Sequence, residues 1–276
     1  MEVNKKVKTL SPKLDVVFQA LFWEVGNERI TKGFLESILK EKIDKVDLNK
    51  NPILRREFKD DKLVVLDIIA QINGVENCNI ELQIVNKDNI IERILYYWSK
   101  LYSRQIKSGN DYTLLEKTII ILIADFELEN LKELDYHSIW KIMESKGTKK
   151  IVLTEKLELD IIELPKIIGK EKIQDNLLDW LYFLENPKSE RVTKKMKENE
   201  ELKEAVEKLD TLSEDERMQR IADLRQKAIM DEKAIYRKGV KDSIKEVARK
   251  MLEKNINISD IIEITGLNME EIKKLS

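Results

Sequence analysis

Apolar positions recur at two spacings, and each change of spacing marks a new element. Residues 11–41 follow a helical period. Leu14, Val17, Phe18, Leu21 and Phe22 share one face, and after a break at Gly26 and Asn27, Ile30, Phe34, Leu35, Ile38 and Leu39 share another. Ser11 and Pro12 stand where the first of these helices would start. Over 46–58, Val46, Leu48, Ile53, Leu54 and Phe58 alternate with Lys50, Arg55, Arg56 and Lys59, which predicts an irregular strand that leads its cations up to the next element. Residues 62–85, KLVVLDIIAQINGVENCNIELQIV, are two β-branched runs about Asn73 and Gly74, the composition of a β-hairpin.

The helical period returns over 88–108, with Asp88 as N-cap. Ile94, Leu95, Trp98, Leu101 and Tyr102 gather on the face that should pack on a sheet. Arg93, Lys100, Arg104 and Lys107 gather on the other, with Tyr96 and Tyr97 at its border. TIIILIADF, 118–126, reads as a buried strand, and a helix between two strands is the crossover that parallel pairing needs. Residues 136–165 suggest further short elements at the sheet edge. From about Asp175 strands stop: a helix holds Leu177, Leu178, Leu181, Tyr182 and Leu184, a charged helical segment runs from Ser189 to about Leu209, and a capping box of Ser213 and Glu216 opens a helix to about Asn255. The end, ISDIIEITGLNMEEIKKL, has a helix-turn-helix outline with a helix from Ser259, a turn at Gly266 and a cap at Asn268. Its second helix leads with Glu270 and Glu271, which phosphates would repel, so packing or assembly suits it better than reading DNA. The expected organisation is an α/β domain with a mixed sheet over 1–170, a charged helical extension over 171–255 and a small tail over 256–276.

Two carboxylates break the apolar strands of the hairpin. Side chains alternate faces along a strand, so Glu81 and Gln83 share a face, and a hairpin centred near Gly74 sets Asp67 opposite Glu81. Directly paired residues have Cβ atoms about 4.5–5.5 Å apart, close enough to hold one hard cation together and close enough to repel without it. Spacing alone leaves open that both acids face water. The cationic side of the 88–108 helix, with Tyr97 beside it, suits a nucleic-acid backbone, and a solvated face has the same pattern.

The charge balance limits how far this reaches. The 276 residues carry a formal net charge of only -2, so nucleic-acid contact has to come from local patches. A single cysteine, Cys78, excludes an internal disulfide and a cysteine-rich zinc site, and a single histidine, His137, argues against Ser-His-Asp or histidine-ligand chemistry. With no apolar run near 18 residues, no membrane span is expected and a cytoplasmic location is.

An Asp in one strand followed by Glu-x-Gln in the next resembles the PD-(D/E)xK nuclease superfamily, and within it the Rpn branch of recombination-promoting nucleases, also called putative transposases. SPKxDxxFxxLF followed by FLxxIL, RxxYYxxxLYxxQxxxGxxY from Arg93 to Tyr112, and YHSIW, KIVLT and LELDIIELPK resemble the same branch. Where the superfamily usually has Lys this branch commonly has Gln, as at Gln83, while Leu66 departs from the parent motif, which has Pro there. The resemblance implies a restriction-endonuclease-like fold and a DNA endonuclease acting in recombination or mobile-element movement. It implies Mg²⁺ or Mn²⁺ held by Asp67, Glu81 and the Leu82 backbone carbonyl, with Gln83 orienting the water. Asp15, or Glu24 in its place, would supply a further acid from the first helices, while Arg93, Lys100, Arg104, Lys107 and Tyr97 would meet DNA. The rival expectation is a catalytically silent nuclease fold that binds or assembles, with a homo-oligomer formed through the C-terminal helices.

Overall fold

A computed structural model describes residues 8–48, 53–54, 64–65, 67–86 and 89–275. Two helices, α1 (Asp15–Phe22) and α2 (Glu28–Leu39), precede β1 (Val46–Leu48) and a separate two-stranded ladder of β2 (Ile53–Leu54) and β3 (Val64–Val65). The hairpin comes next as β4 (Ile68–Ile72) and β5 (Glu76–Gln83), then α3 (Ile90–Ser103), β6 (Thr118–Ala124), β7 (His137–Met143) and β8 (Val152–Glu163). The main sheet has the order β1-β4-β5-β6-β8-β7, with β5, β6 and β8 parallel and the outer pairings antiparallel. This is the mixed sheet flanked by helices that the sequence predicts, with α3 as the crossover between β5 and β6. One sheet face packs Ile120, Leu122, Leu159 and Ile161 against Ile90, Ile94 and Leu101 of α3. Residues of the opposite parity, such as Ile68, Ile80, Ile121 and Ile162, are equally buried.

The strand expected over 46–58 is therefore two separate pieces, and its cations Lys50, Arg55, Arg56 and Lys59 lie outside the described residues, as does Asp88. The first helix begins at Asp15, three residues beyond Pro12, where the Ser11 carbonyl accepts the Leu14 N–H at 3.2 Å. Residues 136–165 give a correction: β8 is one twelve-residue strand inside the sheet, and only β7 forms the edge. Its buried acids have found partners, Glu158 with Lys117 and Lys141, each at 3.2 Å, and Asp160 with His137 at 2.7 Å. On α3, Leu95 points away from the sheet and is 42% exposed, because it lies 100° round the helix from Ile94.

Helices α4 (Asn176–Glu185), α5 (Glu190–Lys195) and α6 (Glu200–Glu214) belong to the same compact unit as the sheet, Met1–Asp223. Trp180 of α4 packs on Phe34 and Phe22, with ring centroids 5.5 and 6.1 Å away, and α6 buries Leu202, Ala205, Val206 and Leu209. The charged segment breaks before Asn199, whose side chain accepts the Leu202 N–H at 2.8 Å and so caps α6. The Ser213–Glu216 capping box does not form. Ser213 lies in the last turn of α6, its hydroxyl donating to the Leu209 carbonyl at 2.7 Å and accepting the Leu10 N–H at 3.0 Å, while Asp215 accepts the Met218 N–H of α7 (Glu216–Glu253) at 2.8 Å.

Leu224–Ser276 form a second unit. Here α8 (Ile258–Thr265) and α9 (Met269–Lys273) join through Gly266 at φ 68°, and Asn268 and Glu271 form a capping box. Ile261, Leu267 and Ile272 close a small core with Ala248 of α7. No helix among the described residues is long and apolar enough to cross a membrane.

Candidate active site

The β4–β5 ladder runs from Ile72↔Glu76 to Ile68↔Ile80 around a turn with Asn73 at φ 52° and Gly74 at φ 75°. One further step places Asp67 opposite Glu81, and side-chain bonds tie the two residues together. The Asp67 N–H donates to Glu81 Oε1 at 3.3 Å, and the Leu82 N–H donates to Asp67 Oδ2 at 2.9 Å. In an extended strand a residue's N–H and C=O turn to the same side, so the Leu82 carbonyl also faces the Asp67 side.

Glu81 is 2% exposed. Burial, and then the Asp67 charge, push its pKa up to about 8. Asn79 and Gln83 flank it on the same strand face: Asn79 Nδ2 donates to Glu81 Oε1 at 3.0 Å, and Gln83 Nε2 lies 3.5 Å from Oε2. Asn79 is fully buried, and its own Oδ1 has no hydrogen-bond partner. The pattern of the sequence does not single out Asn79, although it shares the strand parity of Glu81 and Gln83.

From α3, Arg93 faces this pair, and its positive charge favours ionised Glu81. Its guanidinium also stands 5.9 Å from the ring centre of Tyr97, whose phenol pKa is raised by burial and then by Glu81. Arg93 and Tyr97 thus belong to the acidic site, and the expected row of four cations divides. Lys100 sits over Tyr96 instead, 5.7 Å from its ring centre. The helix ends at Ser103, which leaves Arg104 as its C-cap and Lys107 in the turn beyond, with its N–H on Asn110 Oδ1 at 2.7 Å.

Asp15 opens α1 and accepts the N–H of Val16 at 2.9 Å. Beside it, Lys13 bridges Asp125 at 2.9 Å and Glu185 at 2.7 Å, and the Asp125 N–H donates to the Gln83 carbonyl at 2.9 Å. The start of α1 is therefore fastened to the strand ends where Gln83 lies. Glu24 is not placed there: it stands past the far end of α1 and is ion-paired with Lys208 at 3.2 Å. Among the described residues no three Asp, Glu, His or Cys side chains converge as a metal cluster, so Asp15 does not join Asp67 and Glu81 in one.

An acid in one strand, Glu-x-Gln in the next and the Arg93–Tyr97 helix facing both agree with a family model for PD-(D/E)XK nuclease family transposases, which matches residues 12–239. The chain belongs to this family. No curated protein and no solved structure matches it. PD-(D/E)XK nucleases typically use divalent metals, and the donors present here fit one: two carboxylates and a carbonyl are all oxygen, the ligand set of Mg²⁺ or Mn²⁺. The high proton affinity of Glu81 fits too, since a buried carboxylate beside a second one calls for a positive partner.

Asn79 would act on that partner through Glu81. Asn79→Ala is expected to raise the Glu81 pKa further and to weaken Mn²⁺ affinity about tenfold, the lower range for loss of a hydrogen bond to a metal ligand. A titration calorimetry series on wild type and variant checks this, and equal affinities would reduce Asn79 to packing.

Proposed function

We propose that the chain is a divalent-metal-dependent endodeoxyribonuclease, acting on cytoplasmic DNA in recombination or mobile-element movement. The observation that carries this reading is the Asp67–Glu81 pair, one acid buried and both bound to each other's strand. Bound there, Mg²⁺ or Mn²⁺ supplies a water of lowered pKa and offsets charge on the scissile phosphate. Asp67, Glu81 and the Leu82 carbonyl would hold the ion. Gln83 leans its amide N–H toward Glu81, so its amide oxygen is the group that orients a water; an amide takes up no proton and does not serve as general base. Arg93 brings a positive charge against the acids on the α3 side, where a phosphate would enter.

A nuclease fold without turnover, acting as a DNA-binding or assembly module, is the second reading. That no third acid joins the pair among the described residues favours it. Supercoiled, linear and branched DNA incubated with purified protein, with and without Mg²⁺, separates the two: metal-dependent nicking supports the nuclease, and metal-independent binding without nicking supports the module.

DNA binding has its own test. Lys100→Ala combined with Arg104→Ala is expected to lower the slope of log K against log salt by about two, at roughly one phosphate contact per cation, with the fold unchanged. An unaltered slope across a salt series would remove both residues from the DNA path.

A further inference from the structure

The β7–β8 hairpin outreaches the sheet. β6 pairs with β8 only from Leu157 to Glu163, whereas β8 begins at Val152, and before Leu157 its partner among the described residues is β7 alone. The change falls at an irregularity. Trp140 faces Leu159 but Ile142 faces Thr154 and Met143 faces Val152, so register shifts on both sides of Ile142 set the outer part of the hairpin off from the part inside the sheet. The Glu144 N–H closes this outer part by donating to the Ile151 carbonyl at 2.8 Å. From Lys141 to Lys146 at the tip, the arm reaches at most about 16 Å at 3.3 Å per residue. Its free charge is concentrated at the tip. Lys146, Lys149 and Lys150 are exposed there, and among the described residues no carboxylate pairs with their side chains. The one acid among them, Glu144, turns its carboxylate back onto the Lys146 and Gly147 N–H groups. At the base of the arm the acids are taken: Lys141 holds Glu155 at 2.7 Å and Glu158 at 3.2 Å, and Lys156 holds Glu116 at 3.6 Å. Ile142, Met143, Ile151 and Leu153 stand exposed beside the lysines.

We propose that this arm is a second contact for duplex DNA, entering a groove of the duplex whose backbone lies at Asp67 and Glu81; the choice of partner rests on the nuclease reading. Three observations select it. The charge is complementary, since three exposed lysines against one inward-turned glutamate make a cationic tip on a chain of net charge -2, and phosphates are the partners such a tip lacks. The shape fits. A two-stranded ribbon is the size that the major groove, about 12 Å wide, admits, and exposed Ile142, Ile151 and Leu153 are the apolar groups that thymine methyls accept there. The position fits as well. Glu81, Leu122, Ile161 and Ser138 lie in one row across the sheet, so the tip at Lys146 stands at most about 26 Å from the acids along the strands, less than the roughly 34 Å of one turn of B-DNA. The end of α3 falls between. Its Trp98 indole N–H donates to the Thr118 carbonyl at 3.1 Å, and Thr118 pairs with Leu157 where the arm leaves the sheet, which brings Lys100 and Arg104 to that level. A duplex that follows α3 from the acids therefore meets the arm within its next turn.

Binding in EDTA tests the arm without cleavage. On a duplex of about 24 base pairs, Lys146→Ala with Lys149→Ala and Lys150→Ala in the full chain is expected to lower the slope of log K against log salt by about two to three, and to weaken binding about tenfold or more near 0.1 M salt, with melting unchanged. Lys194→Ala with Lys197→Ala and Lys227→Ala, three exposed lysines elsewhere, should change the slope little. A cross-link gives a second reading. Thr148→Cys carrying a photoactivated label is expected to join the duplex more efficiently than the same label on Ile264→Cys, and the native Cys78 is buried and takes no label. An unchanged slope in the arm variant, an equal loss from the other three lysines, or a cross-link at 148 no better than that at 264 each overturns the proposal. So does a variant that keeps its DNA affinity but loses binding to phosphatidylserine vesicles, which makes the arm a membrane contact. The nuclease reading fails separately: a wild type that binds through the arm and never nicks DNA in Mg²⁺ sinks that reading and keeps the arm, while nicking with an unchanged slope does the reverse.

Discussion

Asp67→Ala and Glu81→Ala are each expected to lower metal-dependent DNA cleavage by about a thousandfold or more, because one remaining carboxylate does not hold the ion where it lowers the pKa of water. Gln83→Ala should do less. Gln83 meets Glu81 only at 3.5 Å, so its loss leaves the ligands in place and slows the reaction without ending it. Gln83→Lys installs the superfamily's usual residue and is expected to retain activity. The pattern matters more than any single rate: large losses at 67 and 81 and a modest one at 83 distinguish a metal site from a pair of solvated acids. Cleavage at the wild-type rate by Asp67→Ala, in protein free of contaminating nuclease, would refute the assignment.

The second large effect concerns stability in metal-free protein. Glu81 has a folded-state pKa of about 8 against an ordinary value of 4.5, so between these values the folded chain keeps a proton that the unfolded chain has released. Stability from this group is fully present below about pH 4.5 and is lost as pH rises through 8. Glu81→Gln removes the titration. With EDTA present the variant should melt at least about 5 °C above wild type at pH 9, at roughly 2–4 °C per kcal/mol, and the two curves should converge near pH 4. Asp67→Asn should also melt at or above the wild-type temperature, since it removes the neighbouring charge that repels ionised Glu81. Saturating Mg²⁺ should narrow or reverse the difference, as wild type gains about 2.7 kcal/mol at a hundred times its Kd and the weaker-binding variant gains less. A Glu81→Gln protein that melts below wild type across the whole range would mean that Glu81 is ionised and well paired in the fold.

The hairpin and its two acids were legible because they are set by local rules. An Asn-Gly turn fixes the register, and strand alternation then fixes which residues meet, so Asp67 and Glu81 could be paired before any tertiary contact was known. What was not legible depended on partners distant in sequence. LELDIIEL reads as an edge because it carries acids, yet Lys117 and Lys141 pair with Glu158 and the His137 ring hydrogen-bonds Asp160, which lets β8 run inside the sheet. The cationic row failed because helical spacing was carried past Ser103. Gln105 there turns its amide N–H to the Glu116 carbonyl at 3.1 Å and Thr118 Oγ1 at 2.8 Å, and the chain leaves the helix. Asn79 was hidden in ENCN, a polar run beside the turn, and its complete burial next to Glu81 separates it from the half-buried Glu76 and Asn77.

Calorimetric titration of Mn²⁺ into the full chain at pH 7, in two buffers of different ionisation enthalpy, addresses the metal site most directly. Ion binding has to displace the proton that Glu81 carries at this pH, so wild type should bind one ion and release close to one proton. Glu81→Gln should bind at least about tenfold more weakly and release none. Equal Mn²⁺ affinity and equal proton release in the two proteins would contradict a metal held by Asp67 and Glu81.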